Sequence, residues 1–503
     1  MVGVAGRSKA CLTCRRRRKG CDFQRPSCGH CQRLGLKCDG YERPTTFVYT
    51  DPTTGAGIKM HLKEKNKLIP SPPPVKTITI PNSLVKSAFK TNCLDVFWDI
   101  YLPGYNNPAI SNERNGCIST VTWLINIPQL NMYSQNPFLE KAVMAVCLAG
   151  LGRRQSNRAM IEESIKAYSA AVRGMSFLLM NTTASAKPPD DAMVAATRCL
   201  SLYEVFYGPD SHNKQHQALA WHRHRFGELA LLSARKPEFQ IDGISHQMFA
   251  EGRLSCTVAS LATRKGTILS RPEWKEIPFS QHKKTSIDLL LDIFVDVPGF
   301  LEALDMTEAA RLANLPDCED RKARLFKEST AALENLSSWF EDSAPKWDWK
   351  AHANDTNPTT ADITAAHNMC LFWAIELKLN GIIIDASLLP HKSPDAAVKQ
   401  QLRSQYFSQL LPKCEAIVQT APIFFTQAAG IAGCQLALLP LILTHRVLTV
   451  VGSDEAREMQ RRIMQTLSRS HHEYNLAIRG FADSVWEVYR CHYCPGCQCQ
   501  LHV

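Results

Sequence analysis

From about Asn92 onward, apolar residues recur at helical spacing, with few glycines inside segments and no clean alternation of the kind a half-buried strand needs. In Leu139 to Gly150, the residues Leu139, Val143, Val146, Cys147 and Gly150 fall on one face. Between Ile363 and Ile384 the same period selects Ile363, Ala366, Cys370, Trp373, Leu377 and Ile384. Comparable patterns predict helices over 157–181, 190–207, 216–233, 284–296, 320–341, 395–419 and 426–450. The expected product is an all-α body over 92–490. The most apolar run, Ala428 to Leu443, is broken by Gln435 and Pro440 and reads as too short for a bilayer span.

Ahead of this body the pattern is different. Residues 46–91 hold Lys63, Lys65 and Lys67 and then Pro70, Pro72, Pro73, Pro74 and Pro81, which predicts an extended or disordered connector. It shows no a/d apolar heptad, so nothing here predicts a coiled coil, and a single half-site and a body-driven homodimer both stay open. At the other end, 491–503 form a tail with Cys491, Cys494, Cys497 and Cys499, for which the default expectation is no dedicated chemistry.

Charge sharpens this division. The 503-residue chain carries a net +11. Residues 1–90 alone hold 18 Lys and Arg against 5 Asp and Glu, leaving 40 against 42 for the remainder, so all the excess sits in the first fifth. A basic arm on a near-neutral body suits a polyanion such as nucleic acid. Met1 to Ala10 has neither an apolar h-region nor a myristoylation pattern, and the expectation is a soluble intracellular protein in a reducing compartment. The 19 cysteines then read as metal ligands or buried hydrophobes rather than disulfides.

Six of them, Cys11, Cys14, Cys21, Cys28, Cys31 and Cys38, follow C-x2-C-x6-C-x6-C-x2-C-x6-C, a unit repeated twice. Structural zinc takes four thiolates. Two zinc ions need eight positions, and six cysteines fill them if two bridge. Six thiolates and two Zn²⁺ sum to −2, offset by the neighbouring Arg15, Arg16, Arg17, Arg18 and Lys19. With only Leu12, Phe23, Leu34 and Leu36 as large apolar residues, the metal has to supply the folding energy of 1–45. Ferredoxin, LIM and RING spacings fit this set less well.

The segment resembles the Zn2Cys6 domain of fungal zinc-cluster transcription factors. The resemblance implies that the first and fourth cysteines bridge, here Cys11 and Cys28, with Cys14 and Cys21 completing one zinc and Cys31 and Cys38 the other. It also implies short helices starting near Cys14 and Cys31, a loop carrying Pro26, and double-stranded DNA as partner. By position, Arg17 and Arg18 would read guanines of a CGG-type triplet, and Arg15, Arg16, Lys19, Arg33 and Lys37 would meet phosphates. Gly20 stands where the family commonly has a basic residue, with Lys19 the nearest substitute.

The body resembles the fungal-specific transcription factor domain, through Phe97 to Pro103, Trp221, His224 and Gly227 in W-x-x-H-x-x-G, then Met248, Phe249 and Arg253, and Trp274 to Pro278. Arg235-Lys236-Pro237 replaces the family's Arg-Gly-Pro. The implied whole is a small Zn2Cys6 cluster domain plus a large all-α regulatory domain. Its implied role is nuclear control of RNA polymerase II genes, such as a metabolic or secondary-metabolite set, with coregulators and an effector of unstated chemistry as further partners. No catalytic motif is found: Gly55-Ala56-Gly57 lacks a third glycine, and His472-Glu473 lacks the second histidine of a zincin. His212, His216, His222 and His224 are read as packing or loop residues sooner than as a metal site. The acidic, aromatic stretch Trp339 to Trp349 is read as an interhelix segment sooner than as an activation segment.

Overall fold

The computed structural model describes residues 10–41, 48–50, 57–59, 82–103, 133, 135–182, 188–207, 214–352, 357–389 and 396–469. The chain divides into two units, Met1–Thr79 and Ile80–Val503. The first contains helices α1 (Leu12–Arg16) and α2 (Gly29–Arg33) and an antiparallel ribbon, β1 (Val48–Thr50) with β2 (Gly57–Lys59), in which Tyr49 pairs with Ile58. The connector therefore contains a short paired element that its composition did not suggest.

Among its described residues the second unit is helical and has no strand. Its elements are α3 (Asn82–Tyr101), α4 (Pro137–Arg154), α5 (Arg158–Thr182), α6 (Asp191–Tyr207), α7 (Lys214–Arg235) and α8 (Gly243–Thr263). They are followed by α9 (Pro272–Glu276), α10 (Ser286–Phe294), α11 (Val297–Leu312), α12 (Cys318–Asp342) and α13 (Thr360–Ser387). The last are α14 (Ala396–Ser408), α15 (Leu411–Thr420), α16 (Gly430–Val451) and α17 (Asp454–Arg469). Helix α4 packs on α5 and α6, and α6 on α7; α13 packs on α12, α15 and α16. Both α4 and α13 are buried on most faces, as helices apolar nearly all round must be. Thr359 starts α13 with a capping box closed by Asp362, and Thr285 starts α10 in the same way with Asp288.

Most expected helices are present within a residue or two, and the departures have local causes. The helix expected over 395–419 is two helices, because Pro412 has no N–H to donate and opens α15. Helix α3 starts at Asn82, inside the stretch read as connector. The apolar run at 428 continues to Val451, so Gln427–Val451 is long and apolar enough to cross a bilayer despite Pro440. It packs against α13, α14, α15 and α17, with Ile431, Cys434, Leu436 and Leu448 buried, as a core helix does.

The residues behind the body's resemblance are mostly buried, Trp221 and Met248 in one core cluster and Phe249 and Trp274 in another. Trp221 and Phe249 are buried, and Trp274 lies 5.8 Å from Phe249 between ring centroids. Arg253 bonds Asp288 at 2.7 Å and Asp292 at 2.6 Å, with its guanidinium 4.6 Å from the Phe279 ring centroid. His224 Nε2 lies 2.9 Å from the Tyr168 hydroxyl, and His222 stacks on Phe226, so both are packing residues; His212 lies outside the described residues, as does the His216 side chain. Trp339 donates from Nε1 to the Ser286 carbonyl at 2.8 Å and stacks on Phe372, while Trp349 meets Trp373 edge-on, so the aromatic stretch belongs to the body's packing.

Lys236 has φ +69° and ψ 160°, a region that suits glycine, at the position where the resembling domain has Gly. Lys236→Gly is expected to stabilise the body by about 1 kcal/mol, read as a higher urea midpoint with an unchanged slope. A lower midpoint would show that the lysine side chain contributes more than its backbone costs.

Candidate metal centre and nucleic-acid interface

The two halves of the cysteine repeat fold alike. Cys11 is the N-cap of α1, with its Sγ accepting from the Cys14 N–H at 3.3 Å. Cys28 is the N-cap of α2, with its Sγ accepting from the Cys31 N–H at 3.3 Å. The helices thus start at Leu12 and Gly29, ahead of the positions expected from the family pattern, because the first cysteine of each C-x2-C serves as the cap. Gly29 allows this on the second half: a Cβ there would lie 2.6 Å from Asp22 Oδ2, whose carboxylate accepts from the Gly29 N–H at 3.0 Å through Oδ1.

All six sulfurs converge. Cys11, Cys14, Cys21 and Cys28 form one set within 4.8 Å, and Cys11, Cys28, Cys31 and Cys38 form a second, so Cys11 and Cys28 belong to both. The Cys11 and Cys28 sulfurs are 3.6 Å apart, and Cys14 also lies 3.6 Å from Cys28. None of these cysteines is in a disulfide.

Among the described residues around this centre there is no apolar core to do the folding. Phe23 is 56% and Leu34 52% exposed, while Cys11, Cys14, Cys28 and Cys31 are buried. Hydrogen bonds close the loops instead. Leu12 N–H donates to the Gly40 carbonyl at 2.9 Å, Asp39 N–H to Thr13 Oγ1 at 2.9 Å, and the Tyr41 hydroxyl to the Gln24 carbonyl at 2.8 Å. Arg25 lies over the Tyr41 ring. Tyr41 was not singled out in the sequence; an aromatic three residues after the last cysteine was the available signal.

The buried thiols of Cys11, Cys14 and Cys31 resist ionising on their own, whereas backbone N–H groups favour the thiolate at Cys38. Burial and then the neighbouring thiols raise Cys14, and the hydrogen bond from Cys28 followed by burial raises Cys31 to about 12. Burial also raises Cys21, but the N–H groups of Cys11 and Phe23 outweigh it and bring that thiol down to about 6. Sulfurs this close become thiolates together only when divalent cations offset their mutual repulsion. Two four-sulfur sets sharing two ligands suit two zinc ions, which take four thiolates each.

Arg15, Arg17, Arg18 and Lys19 are exposed beside this centre. Helix α1 ends at Arg16, so Arg17 and Arg18 lie in the turn that follows it, and Arg18 has φ +53° with its N–H bonded to the Arg15 carbonyl at 3.2 Å. Arg16 pairs with Asp39 at 2.5 Å across the cluster, and Arg33 approaches Asp22 at 3.9 Å; Lys37 is exposed. The sequence did not foresee the Arg16 pair, which turns that side chain toward the domain's own C-terminal end. Cys491, Cys494, Cys497 and Cys499 lie outside the described residues.

Residues 9–46 match the family model of the fungal Zn(2)-Cys(6) binuclear cluster domain. Over 39 residues the chain is 59% identical to the aspercryptin biosynthesis cluster-specific transcription regulator atnN of Emericella nidulans. That match covers 8% of this chain and 6% of the relative's length. No solved structure matches.

Proposed function

We propose, from the Zn(2)-Cys(6) binuclear cluster domain that residues 9–46 form and the two zinc ions such a domain binds, that this chain is a nuclear, DNA-binding transcription factor. Its targets on this reading are RNA polymerase II genes. A metabolic or secondary-metabolite set is the favoured one, in keeping with the printed description of the relative as a biosynthesis cluster-specific regulator. The observation that carries the reading is the pair of four-sulfur sets sharing Cys11 and Cys28 directly beside an exposed run of arginines.

On this reading Cys14 and Cys21 complete one zinc site and Cys31 and Cys38 the other. Bound zinc supplies the charge that keeps all six sulfurs as thiolates and ties the two repeats together. The chain's own residues do the recognition. Arg17 and Arg18, in the turn after α1, are assigned to base edges, where a guanidinium can donate two parallel hydrogen bonds to guanine O6 and N7 of a CGG-type triplet. Arg15, Lys19, Arg33 and Lys37 are assigned to phosphates, which set affinity and register. Arg16 shares its guanidinium with Asp39, so it is the weakest of the phosphate assignments. The positive φ at Arg18 supports a role that glycine could not fill, since a residue with no side chain would relieve that backbone but read no base.

The remainder, 92–490, is proposed as the regulatory domain of the fungal transcription factor family, with transcriptional coregulators as its partners. The function is binding; no catalytic role is assigned to any residue.

Arg18→Ala in the full chain is expected to cut the preference for a CGG duplex over a scrambled one by about 1–3 kcal/mol, measured by fluorescence anisotropy at matched salt. Equal loss on both duplexes would assign Arg18 to the phosphates instead.

A further inference from the structure

Of the six cluster sulfurs, Cys11, Cys14, Cys28 and Cys31 are buried, whereas Cys21 and Cys38 are half-buried, so a chelator or an alkylating or oxidising reagent reaches the centre first at these two. They occupy the same place in the repeat, and the backbone treats them alike. The Cys11 N–H donates to Cys21 Sγ at 3.4 Å and the Phe23 N–H bonds the same sulfur, while the Cys28 and Gly40 N–H groups bond the Cys38 sulfur. Each donor in one half has its counterpart in the other.

The likeness stops at Tyr41. Its ring packs against the cysteine cluster, and its hydroxyl oxygen lies 3.6 Å from Cys21 Sγ while donating to the Gln24 carbonyl at 2.8 Å. Arg25 lies over the same ring, 5.2 Å from its centroid. These contacts tie the loop after Cys21 to the segment after Cys38 and set a phenol against one of the two outlying sulfurs. Cys38 has no equivalent: among the described residues its sulfur is bonded by backbone N–H groups and by neighbouring cysteines. Chain order is the cause. Tyr41 follows Cys38 by the interval at which Gln24 follows Cys21, so the second half reaches back to cover the first, and the repeat does not occur a third time to cover Cys38.

We infer that Tyr41 is a positioning residue that guards the Cys21 sulfur, so that the two zinc sites of the cluster are unequal and the Cys38 side opens first to chelation, alkylation or oxidation. A group bonded to a metal-bound thiolate from outside the coordination sphere restrains that ligand and limits approach to its lone pairs. Loss of metal then begins at Cys38 and not at Cys21. The inference rests on the zinc-loaded centre and is independent of the bases that it reads.

The test is alkylation of the zinc-loaded full chain with N-ethylmaleimide, quenched at low conversion and mapped by peptide mass spectrometry, with zinc content measured on the same sample. Cys38 is expected to be modified faster than Cys21 while two ions are held per chain. Tyr41→Phe, which keeps the ring and removes the hydroxyl, is expected to raise the Cys21 rate by about tenfold and leave the Cys38 rate as it was. A substitution that merely loosened the domain would speed both cysteines together, so an equal rise at Cys21 and Cys38 overturns the guard. Cys21 reacting as fast as Cys38 in the unsubstituted chain at full zinc content overturns it as well, with no variant needed. A chain that takes up no zinc overturns the metal centre itself, and the guard with it.

Discussion

Cys28→Ala is expected to strip both zinc ions from the protein, where loss of a ligand to one set alone would strip one. Cys28 belongs to both four-sulfur sets, its Sγ caps α2 and lies 3.6 Å from both Cys11 and Cys14. Removing it leaves each set with three sulfurs and α2 without its cap. Structural zinc in domains of this size contributes on the order of 10–16 kcal/mol of apparent folding free energy. Nothing else in residues 11–41 can replace that, because Phe23, Leu34 and Leu36 are exposed and the interior is the cysteines themselves. Metal analysis after dialysis should therefore find close to none of the two ions, DNA binding should be lost, and the helical circular dichroism of the body should persist. Cys14→Ala makes the comparison internal, since Cys14 belongs to one set only. Two ions still tightly held by Cys28→Ala would refute the shared-ligand arrangement.

The second large effect is expected in the body. Glu228 is fully buried between Arg198 and Arg225: its Oε1 accepts from Arg198 Nε at 2.5 Å and its Oε2 from Arg225 Nη1 at 2.8 Å. Arg225 also donates to Ser201 and Ser255, at 2.7 Å and 2.9 Å. The fit is tight enough that a Cβ at Gly252 would meet Arg198 Nη2 at 1.6 Å. Glu228→Gln removes the carboxylate charge that bridges two buried guanidiniums. It should destabilise the body by about 3–5 kcal/mol, the usual cost of breaking rather than replacing a buried ion network. Urea unfolding monitored by tryptophan fluorescence measures this. A loss below about 1 kcal/mol would mean that water or rearrangement satisfies the arginines without Glu228.

These two sites differ in how far the sequence reveals them. The metal centre is written in spacing alone, because thiolate coordination needs particular residues at particular intervals and little else, so all six cysteines and the charge beside them are visible before any fold is known. What spacing does not carry is the detail of the caps: that the first cysteine of each pair starts its helix, and that Arg16 folds back on Asp39. Both depend on which backbone N–H or carboxylate comes near in three dimensions.

Helical periodicity locates most of the body, yet α8 escapes it. His246, Glu251 and Arg253 lie on its buried face and blur the apolar stripe by which a helix is read. Helix α11 escapes for the opposite reason, since Pro298 and Gly299 resemble breakers although proline is well suited to a first turn. The Arg198 network was legible in part: an arginine inside Ala192 to Leu202, an otherwise small and apolar helical run, signals a buried partner. Nothing in sequence says that the partner is Glu228.

Selection of DNA by sequence through zinc-loaded residues 9–46 is the property proposed above. Its most direct test is a titration of the zinc-loaded full chain against two duplexes of equal length, one carrying CGG and one with that triplet scrambled, at the same salt and with an excess of nonspecific competitor. Tighter binding to the CGG duplex is expected, with that preference lost when the zinc is chelated. Equal affinity for the two duplexes, or a preference that survives complete removal of zinc, would contradict it.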